Sequence, residues 1–438
     1  MSFFRNLAGV LLTSAVGFPI GMLTSIVLAR LLSTDDRGFY AVATSFATVT
    51  TMLTQFGWPT AAIDRLRRGG RPPAEVSGGS LVFLGLVSLL VVALALLGQA
   101  PLREHLLSDL PFVVFFAALV TVPLRMLANG FGSVARGINR FQDENWFGFA
   151  LRVANLVAAF VVLAWLGGAL TSLMWATAIV YAVLVLGLIV VVVRRTGLQL
   201  ALPAEEMMLS LRFGLKTHAM TVAGRLHERL DIFMLAALLA EPTQIAFYAI
   251  AKGIIQIIQT LPSSFGKVAY PELAGLPPRA ASEFAAGLVR QNLLLLAPIG
   301  IVLGVSAPIL LPLLYGKPYA ASTVPFLLLL PGTLLQGAAG VLARYFTGTD
   351  NHRPNIATRF ISLGVNAALN YLWIPRFGVS GAAAAAAVSY TLDAVLVVVI
   401  FLAQSDCRFG DLVRVRSSDL DPYRKLLRRT AKAWRRRG

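Results

Sequence analysis

Charge is scarce in this 438-residue chain. Asp, Glu, Lys and Arg make up 13% of it, against roughly 25% in an ordinary soluble domain. With 57% hydrophobic residues, that shortage excludes a disordered chain and argues against a water-soluble enzyme. Acid is scarcer than base: 21 Asp and Glu face 38 Lys and Arg, for a net charge of +17. Cysteine is nearly absent. Cys407 stands alone, which excludes an internal disulfide framework and a cysteine-based metal cage. The four histidines, His105, His218, His227 and His352, show no metal-ligand spacing, and no cofactor is expected.

Hydrophobic runs are what the chain has in abundance. A span takes about 20 mostly apolar residues. The runs suggest about twelve spans, over 7–32, 38–62, 76–98, 111–135, 146–166, 171–193, 212–239, 244–270, 284–314, 322–347, 355–374 and 381–404. Several exceed the usual length, which implies tilt or bending. Short loops argue against large domains outside the membrane. Met1–Arg5 carries little charge and no small-residue cleavage pattern follows, so the first run reads as a retained span.

Lys and Arg distribute unequally between the two sets of loops. Arg5, Arg65, Arg67, Arg68, Arg71, Arg136, Arg140, Arg194, Arg195, Arg279, Arg353 and a basic tail fall on one side. Arg37, Arg103, Lys317 and Arg376 fall on the other. The first side is therefore expected to be cytoplasmic, with both termini on it. Beyond Asp421-Pro422, a plausible helix start, Tyr423, Leu427 and Trp434 fall near one face among many Arg and Lys. Two readings stay open: a cationic helix on anionic inner-leaflet lipid, or a plain topology anchor. Nucleic-acid binding is not expected, for want of a folded module to present the charge.

The two halves match. Leu28-Ala29-Arg30-Leu31-Leu32 precedes Phe39-Tyr40-Ala41, and Leu235-Ala236-Ala237-Leu238-Leu239 precedes Phe247-Tyr248-Ala249. Asn155, Gly167 and Tyr181 return at nearly the same offset as Asn366, Gly378 and Tyr390. The predicted fold is an all-α membrane protein of two pseudo-symmetric six-helix bundles, 1–200 and 201–404, followed by a basic cytoplasmic tail, 405–438. Six spans per half is even, so the halves run in the same sense about an axis along the membrane normal. Such an arrangement favours a transporter with its path between the bundles.

An ionisable residue inside a span costs about 2.5–3.5 kcal/mol on insertion scales, so each needs a partner, a wet cavity or the interface. The deepest are Arg125 in one span and Arg225, Glu228, Arg229 and Asp231 in another. Arg225 and Arg229 share a helix face, Glu228 can pair with Arg225, and His218 extends the stripe. Arg152, Lys216, Arg290, Arg344 and Arg359 lie nearer the cytoplasmic edge. They either snorkel to inner-leaflet phosphates or ring the mouth of a cavity. The deep arginines either bind a ligand or form a structural ion pair with Glu228 or Asp231. Deep cations outnumber deep anions, so the expected cavity is electropositive and suits an anionic solute such as a pyrophosphate ester. Asp393 is a lone acid at depth, open to coupling a proton or Na⁺ or to pairing with an arginine. Gly17-Phe18-Pro19-Ile20-Gly21, Pro123, Pro262, Pro298, Pro308, Pro325 and Pro331 interrupt the spans.

Four segments carry a family likeness: Leu28-Ala29-Arg30-Leu31-Leu32-Ser33-Thr34-Asp35-Asp36-Arg37-Gly38-Phe39-Tyr40-Ala41, Arg229-Leu230-Asp231 with Phe247-Tyr248, Leu314-Tyr315-Gly316-Lys317-Pro318-Tyr319, and Ile374-Pro375-Arg376-Phe377-Gly378-Val379-Ser380-Gly381-Ala382-Ala383. In order and spacing the chain resembles the polysaccharide-transport (Wzx-like) flippases of the multidrug/oligosaccharidyl-lipid/polysaccharide exporter superfamily. The second turn departs from the first, with Glu241-Pro242 in place of Asp35-Asp36.

The resemblance implies a flippase of the bacterial inner membrane, not an enzyme. It would carry undecaprenyl-diphosphate-linked oligosaccharide repeat units to the periplasmic leaflet for O-antigen, capsule or exopolysaccharide assembly, with polysaccharide polymerase machinery as a downstream partner. Substrate binding would fall to Arg125, Arg225, Arg229, Arg152, Arg290, Arg344 and Arg359. Proton or Na⁺ coupling would fall to Glu228, Asp231 or Asp393. The rivals are a lipid II flippase, which a first span bearing only Arg30 disfavours, and a drug/cation antiporter, which the positive cavity disfavours. A membrane enzyme rests on Asp419-Leu420-Asp421 and on His227 with Asp231, without any nucleotide-binding domain.

Overall fold

A computed structural model of the protein describes residues 17, 19–68, 70–107, 109–200, 204–349, 351–416 and 419, with some side chains of the later helices left out. The expectations on Met1–Arg5 and on the tail helix beyond Asp421 lie outside them. Among the described residues the regular structure is helical, with no strand. The helices are α1 (Pro19–Leu31), α2 (Thr34–Thr54), α3 (Trp58–Arg67), α4 (Pro73–Leu97), α5 (Gln99–Leu106), α6 (Phe112–Gly137), α7 (Phe141–Phe160), α8 (Leu170–Thr196), α9 (Ala204–Leu238), α10 (Pro242–Gly275), α11 (Pro278–Tyr315), α12 (Thr323–Gly348), α13 (Arg353–Gln404) and α14 (Phe409–Val413). A π-helical turn, Val161–Trp165, continues α7, and a 3₁₀ turn, Lys317–Ser322, precedes α12.

Seven of the described helices are long and apolar enough to cross a bilayer: α4, α6, α7 with its π turn, α8, α11, α12 with its 3₁₀ turn, and α13. Their outer faces need lipid. On α4, Leu86, Leu89, Leu90, Leu94 and Leu97 are all exposed, and on α11 so are Ile301, Val302, Val305 and Ile309. Stripes of that size on a water-soluble surface would drive association. The twelve-span count goes beyond these seven.

Local sequence explains the helix ends. Ser33 caps α2, its Oγ accepting from the Asp36 amide at 3.1 Å, and Asp35 and Asp36 sit in the first turn against the positive end of the helix. The run expected over 38–62 is broken: Phe56 and Gly57 both take positive φ, ending α2 before α3 begins. At 52 residues α13 is two arms joined at Gly378, whose φ of 55° and ψ of −136° no L side chain adopts readily. Gly167, its counterpart between α7 and α8, has φ 61°.

The chain forms two compact units. Unit 1 holds residues 1–250, 311–320 and 371–379; unit 2 holds 251–310, 321–370 and 380–438. In unit 1, Ala62, Val76, Phe131, Val134, Leu188 and Val192 pack α3, α4, α6 and α8 into one core. The two matching turns of the sequence meet here. Thr243 donates to Thr34 Oγ1 at 3.1 Å and also bonds Asp35, and Gly38 lies so close to the Pro242 backbone that a Cβ would collide with it. Arg30 donates to the terminal α11 carbonyls of Leu313 and Leu314, the latter at 2.9 Å. In unit 2, Ala285, Val289, Leu342, Phe346, Val397, Phe401 and Leu412 form the core that joins α11, α12, α13 and α14.

Candidate functional site

Unit 1 gathers arginine and tyrosine on α2, α6 and α8. Arg125 stands on α6 two residues after Pro123, half-buried. Its guanidinium lies over the Tyr181 ring of α8, 4.8 Å from the centroid, and Nη1 donates to Thr48 Oγ1 of α2 at 3.3 Å. Its Nε is buried without a hydrogen-bond partner. Among the described residues no carboxylate pairs with it. The alternative of a structural ion pair with Glu228 or Asp231 therefore finds no support at this position.

Arg37 is the second cation of the group. The sequence places it in an outer loop, but the Ser33 cap starts α2 early enough to draw it into the first turn, where it is only 7% exposed. Its guanidinium lies 5.4 Å from the centroid of Tyr40, three residues along the same face, and Nη2 donates to Ser25 Oγ at 3.4 Å. Tyr315 and Tyr319 are within its electrostatic reach. The Tyr40 hydroxyl feels Arg37, Arg125 and Tyr181 together, so the two arginines and their rings form one connected set. The signal that sequence reading missed is the Arg-x-x-Tyr spacing behind a capping serine. Arg152, on α7, is exposed, and its guanidinium occupies the space a Cβ at Gly17 would fill.

On α9 the backbone of the predicted stripe is helical, but the side chains of Arg225 and Lys216 lie outside the described ones. Glu228 and Arg229 are half-buried. Asp231 is fully buried and accepts from the Tyr248 hydroxyl at 2.6 Å. His218 meets the Leu53 carbonyl at 3.2 Å.

In unit 2 the remaining predicted residues separate. Arg344 is exposed on α12. Arg359 pairs with Asp393 at 3.5 Å. Arg290 reaches across to the chain beyond α14: Nε and Nη2 hold Asp419 at 2.7 and 3.0 Å, and Nη1 donates to the Asp411 carbonyl. That bidentate grip from Arg290 holds the Asp419 carboxyl below its ordinary range, helped by the Arg416 amide. Asp411 is lowered as well, first by the Arg408 amide at the start of α14.

The set in unit 1 can hold an anion and stack planar or ring-shaped groups. Guanidinium groups on tyrosine rings keep N–H donors available for phosphate oxygens, and sugar rings pack against aromatic faces as other amphipathic groups do. The set offers no nucleophile–base pair.

Comparison with known proteins bears on family and fold. A curated relative, the probable low-salt glycan biosynthesis flippase Agl15 of Haloferax volcanii, is 20% identical over 414 residues, which covers 90% of this chain and 83% of that one. Among solved structures, the lipid II flippase MurJ in an inward closed conformation matches with TM-score 0.75 at 12% identity, over 92% of this chain and 88% of that one. A multidrug resistance MATE family transporter of the MOP superfamily, inward-facing, matches with TM-score 0.68 at 14% identity, over 88% and 93%. These likenesses give the fold alone, that of a multi-pass helical membrane protein. The family model described as polysaccharide biosynthesis protein matches residues 3–276, and the chain belongs to that family.

Proposed function

We propose that this protein is a flippase that moves undecaprenyl-diphosphate-linked oligosaccharide repeat units from the cytoplasmic to the periplasmic leaflet of a bacterial inner membrane, for assembly of a surface polysaccharide such as O-antigen or exopolysaccharide. The observation that carries it is Arg125: a half-buried cation inside an apolar helix, stacked on Tyr181 and matched by no acid among the described residues. Such a group is costly in a membrane unless an anion, another polar partner or a wet cavity meets it. A diphosphate supplies that anion, and the tyrosines supply surfaces for the attached sugars. The family and the glycan-flippase relative support the same substrate class.

In this reading the twelve spans form two bundles, both termini are cytoplasmic, and the bundles rock about the substrate to give alternating access. Arg125, Arg225 and Arg229 bind the diphosphate. Arg152, Arg344 and Arg359 draw the head group toward the cavity mouth. Arg290, held by Asp419 and the Asp411 carbonyl, anchors the tail instead. Glu228, Asp231 or Asp393 couples a proton or Na⁺ to the return step.

The test is a deletion strain whose lipid-linked sugars are extracted and assigned to a leaflet. Completed repeat units held on the cytoplasmic face, with surface polysaccharide lost, are expected. Rescue should come from the wild-type gene and fail with Arg229→Ala at equal protein level. Unmodified or truncated repeat units would instead indicate an enzyme, and accumulated peptidoglycan precursor would indicate a lipid II flippase.

A further inference from the structure

Unit 2 encloses a cavity of about 40 Å³ between α12 and the two arms of α13. Its polar lining is Gln336 from α12, Asn355, Thr358 and Arg359 from the first arm, and Asp393 from the second. Partners that can only accept fix the amides. Asn355 Nδ2 donates to the Ala343 carbonyl at 2.8 Å, so its oxygen is the atom left over. Gln336 Nε2 donates to Asp393 Oδ2 at 3.0 Å, and its own oxygen accepts from Gln259 at 3.2 Å. What remains is a set of three buried oxygens with no hydrogen-bond partner: Asp393 Oδ1, Asn355 Oδ1 and Thr358 Oγ1. Asp393 is 3% exposed and Thr358 1%. Buried polar atoms are rarely left so unless water or an ion meets them.

We propose that this cavity is a binding site for a small monovalent cation of about sodium's size, coordinated by Asp393 Oδ1, Asn355 Oδ1 and Thr358 Oγ1. Space, donor type and charge all point that way. A water needs roughly 10–15 Å³ of such space, so the cavity takes one ion and two waters. With three protein oxygens that makes an all-oxygen shell, which hard cations prefer. Magnesium demands near-ideal octahedral geometry and sheds water reluctantly, and one carboxylate balances one charge only. Among the described residues the charged group paired with Asp393 is Arg359, whose Nη1 stands 3.5 Å from Oδ2 with 38% of its side chain exposed. Gln336 and Gln259 are neutral. Arg359 is therefore the cation's competitor: it neutralises Asp393 when the ion is away and can swing out when the ion arrives. The proposal deepens the ion-coupling step of the flippase reading and rests on that reading for its role in transport, though not for binding itself.

The experiment is thermal unfolding of the purified full-length protein in nanodiscs at constant ionic strength, with NaCl exchanged for choline chloride. A melting temperature that rises with sodium is expected for the wild type. Asp393→Asn and Asn355→Ala should lose the rise. Arg359→Gln should bind sodium roughly threefold more tightly, as removal of a part-exposed ion pair would give, whereas loss of a merely structural bridge would weaken it. Equal unfolding in sodium and choline, or a response to pH alone, would overturn the proposal. So would a sodium response that survives Asp393→Asn. Should that variant fail to fold, Thr358→Val and Asn355→Ala carry the same test. Sodium binding without flipping of lipid-linked sugars would refute the flippase reading and leave the cation site standing; flipping without sodium binding would do the reverse.

Discussion

A guanidinium that stacks on a ring satisfies its charge without spending its N–H groups. Arg125 over Tyr181 does this at depth, and Arg37 over Tyr40 does it near the start of α2. If the stacked pair binds diphosphate, charge alone will not replace it. Arg125→Ala should reduce flipping at least roughly tenfold while the protein still inserts, because a buried, charge-assisted contact is removed. Arg125→Lys should restore only part of it, since an ammonium lacks the planar fork. Tyr181→Phe keeps the ring face and should stay near wild type. Tyr181→Ala removes a cation–π contact worth about 0.5–2 kcal/mol and should fall between the two. Leaflet assignment of lipid-linked sugars in cells expressing each variant reads all four. Near-normal flipping by Arg125→Ala would remove this residue from the substrate path.

At the scale of helices and turns, two joints are open to measurement. Gly378 joins the arms of α13 with a backbone that favours glycine, and a Cβ there would come within 2.8 Å of Gln244 Oε1. Gly378→Ala should therefore cost about 1–3 kcal/mol, read as a lower melting temperature. Gly364, on the first arm with open space around it, is the control: alanine there should be neutral or stabilise by up to about 1 kcal/mol. The second joint is the tail. Since the Asp419 carboxyl is held below its ordinary range by Arg290, its contribution is fully present above the ordinary carboxylate pKa, about 3.9, and fades as pH falls through the lower folded value. Protease protection of the segment around Arg408–Arg416 should be flat from neutral pH to about 5 and decline only in stronger acid. Asp419→Asn should expose the same segment at neutral pH. Unchanged protection in that variant would mean that Leu412, buried in the core of unit 2, holds the tail by itself.

These joints also mark what sequence could and could not reveal. The long apolar helices were legible, because hydrophobic runs such as 76–98, 171–193 and 284–314 leave few alternatives. Arg125 was legible as a deep cation by position alone. Its ring partner was not, since Tyr181 lies on another helix and nothing local marks the contact. Arg37 was misplaced for a different reason: an acidic, serine-capped segment reads as a loop, yet the cap is what begins the helix. Arg290 looked like a cavity residue because its partner, Asp419, lies far along the chain. Asp393 was legible as an anomaly, an acid in an apolar run, but the oxygens of Asn355 and Thr358 beside it depend on how the arms of α13 pack.

For the whole molecule, the proposed topology can be tested with a reporter the chain already carries. Cys407 is its one cysteine, partly exposed just after α13. The Lys and Arg asymmetry puts this segment on the cytoplasmic side, and an even number of spans then puts the amino terminus there too. A membrane-impermeant maleimide should leave Cys407 unmodified in intact spheroplasts and modify it once the membrane is opened. An exposed position on the opposite set of loops must behave in reverse. Glu104→Cys, made in a Cys407→Ser background, should label in intact spheroplasts, because α5 lies between spans expected over 76–98 and 111–135. The pair of reporters matters more than either one. Labelling of both from outside would require an even number of crossings between them, where the proposed topology has an odd one, and would break the parallel arrangement of two six-span bundles. Labelling of neither would place α5 inside and require an even number as well, whereas labelling of Cys407 with protection of the α5 position would invert the charge rule for this chain and take with it the proposed direction of transport.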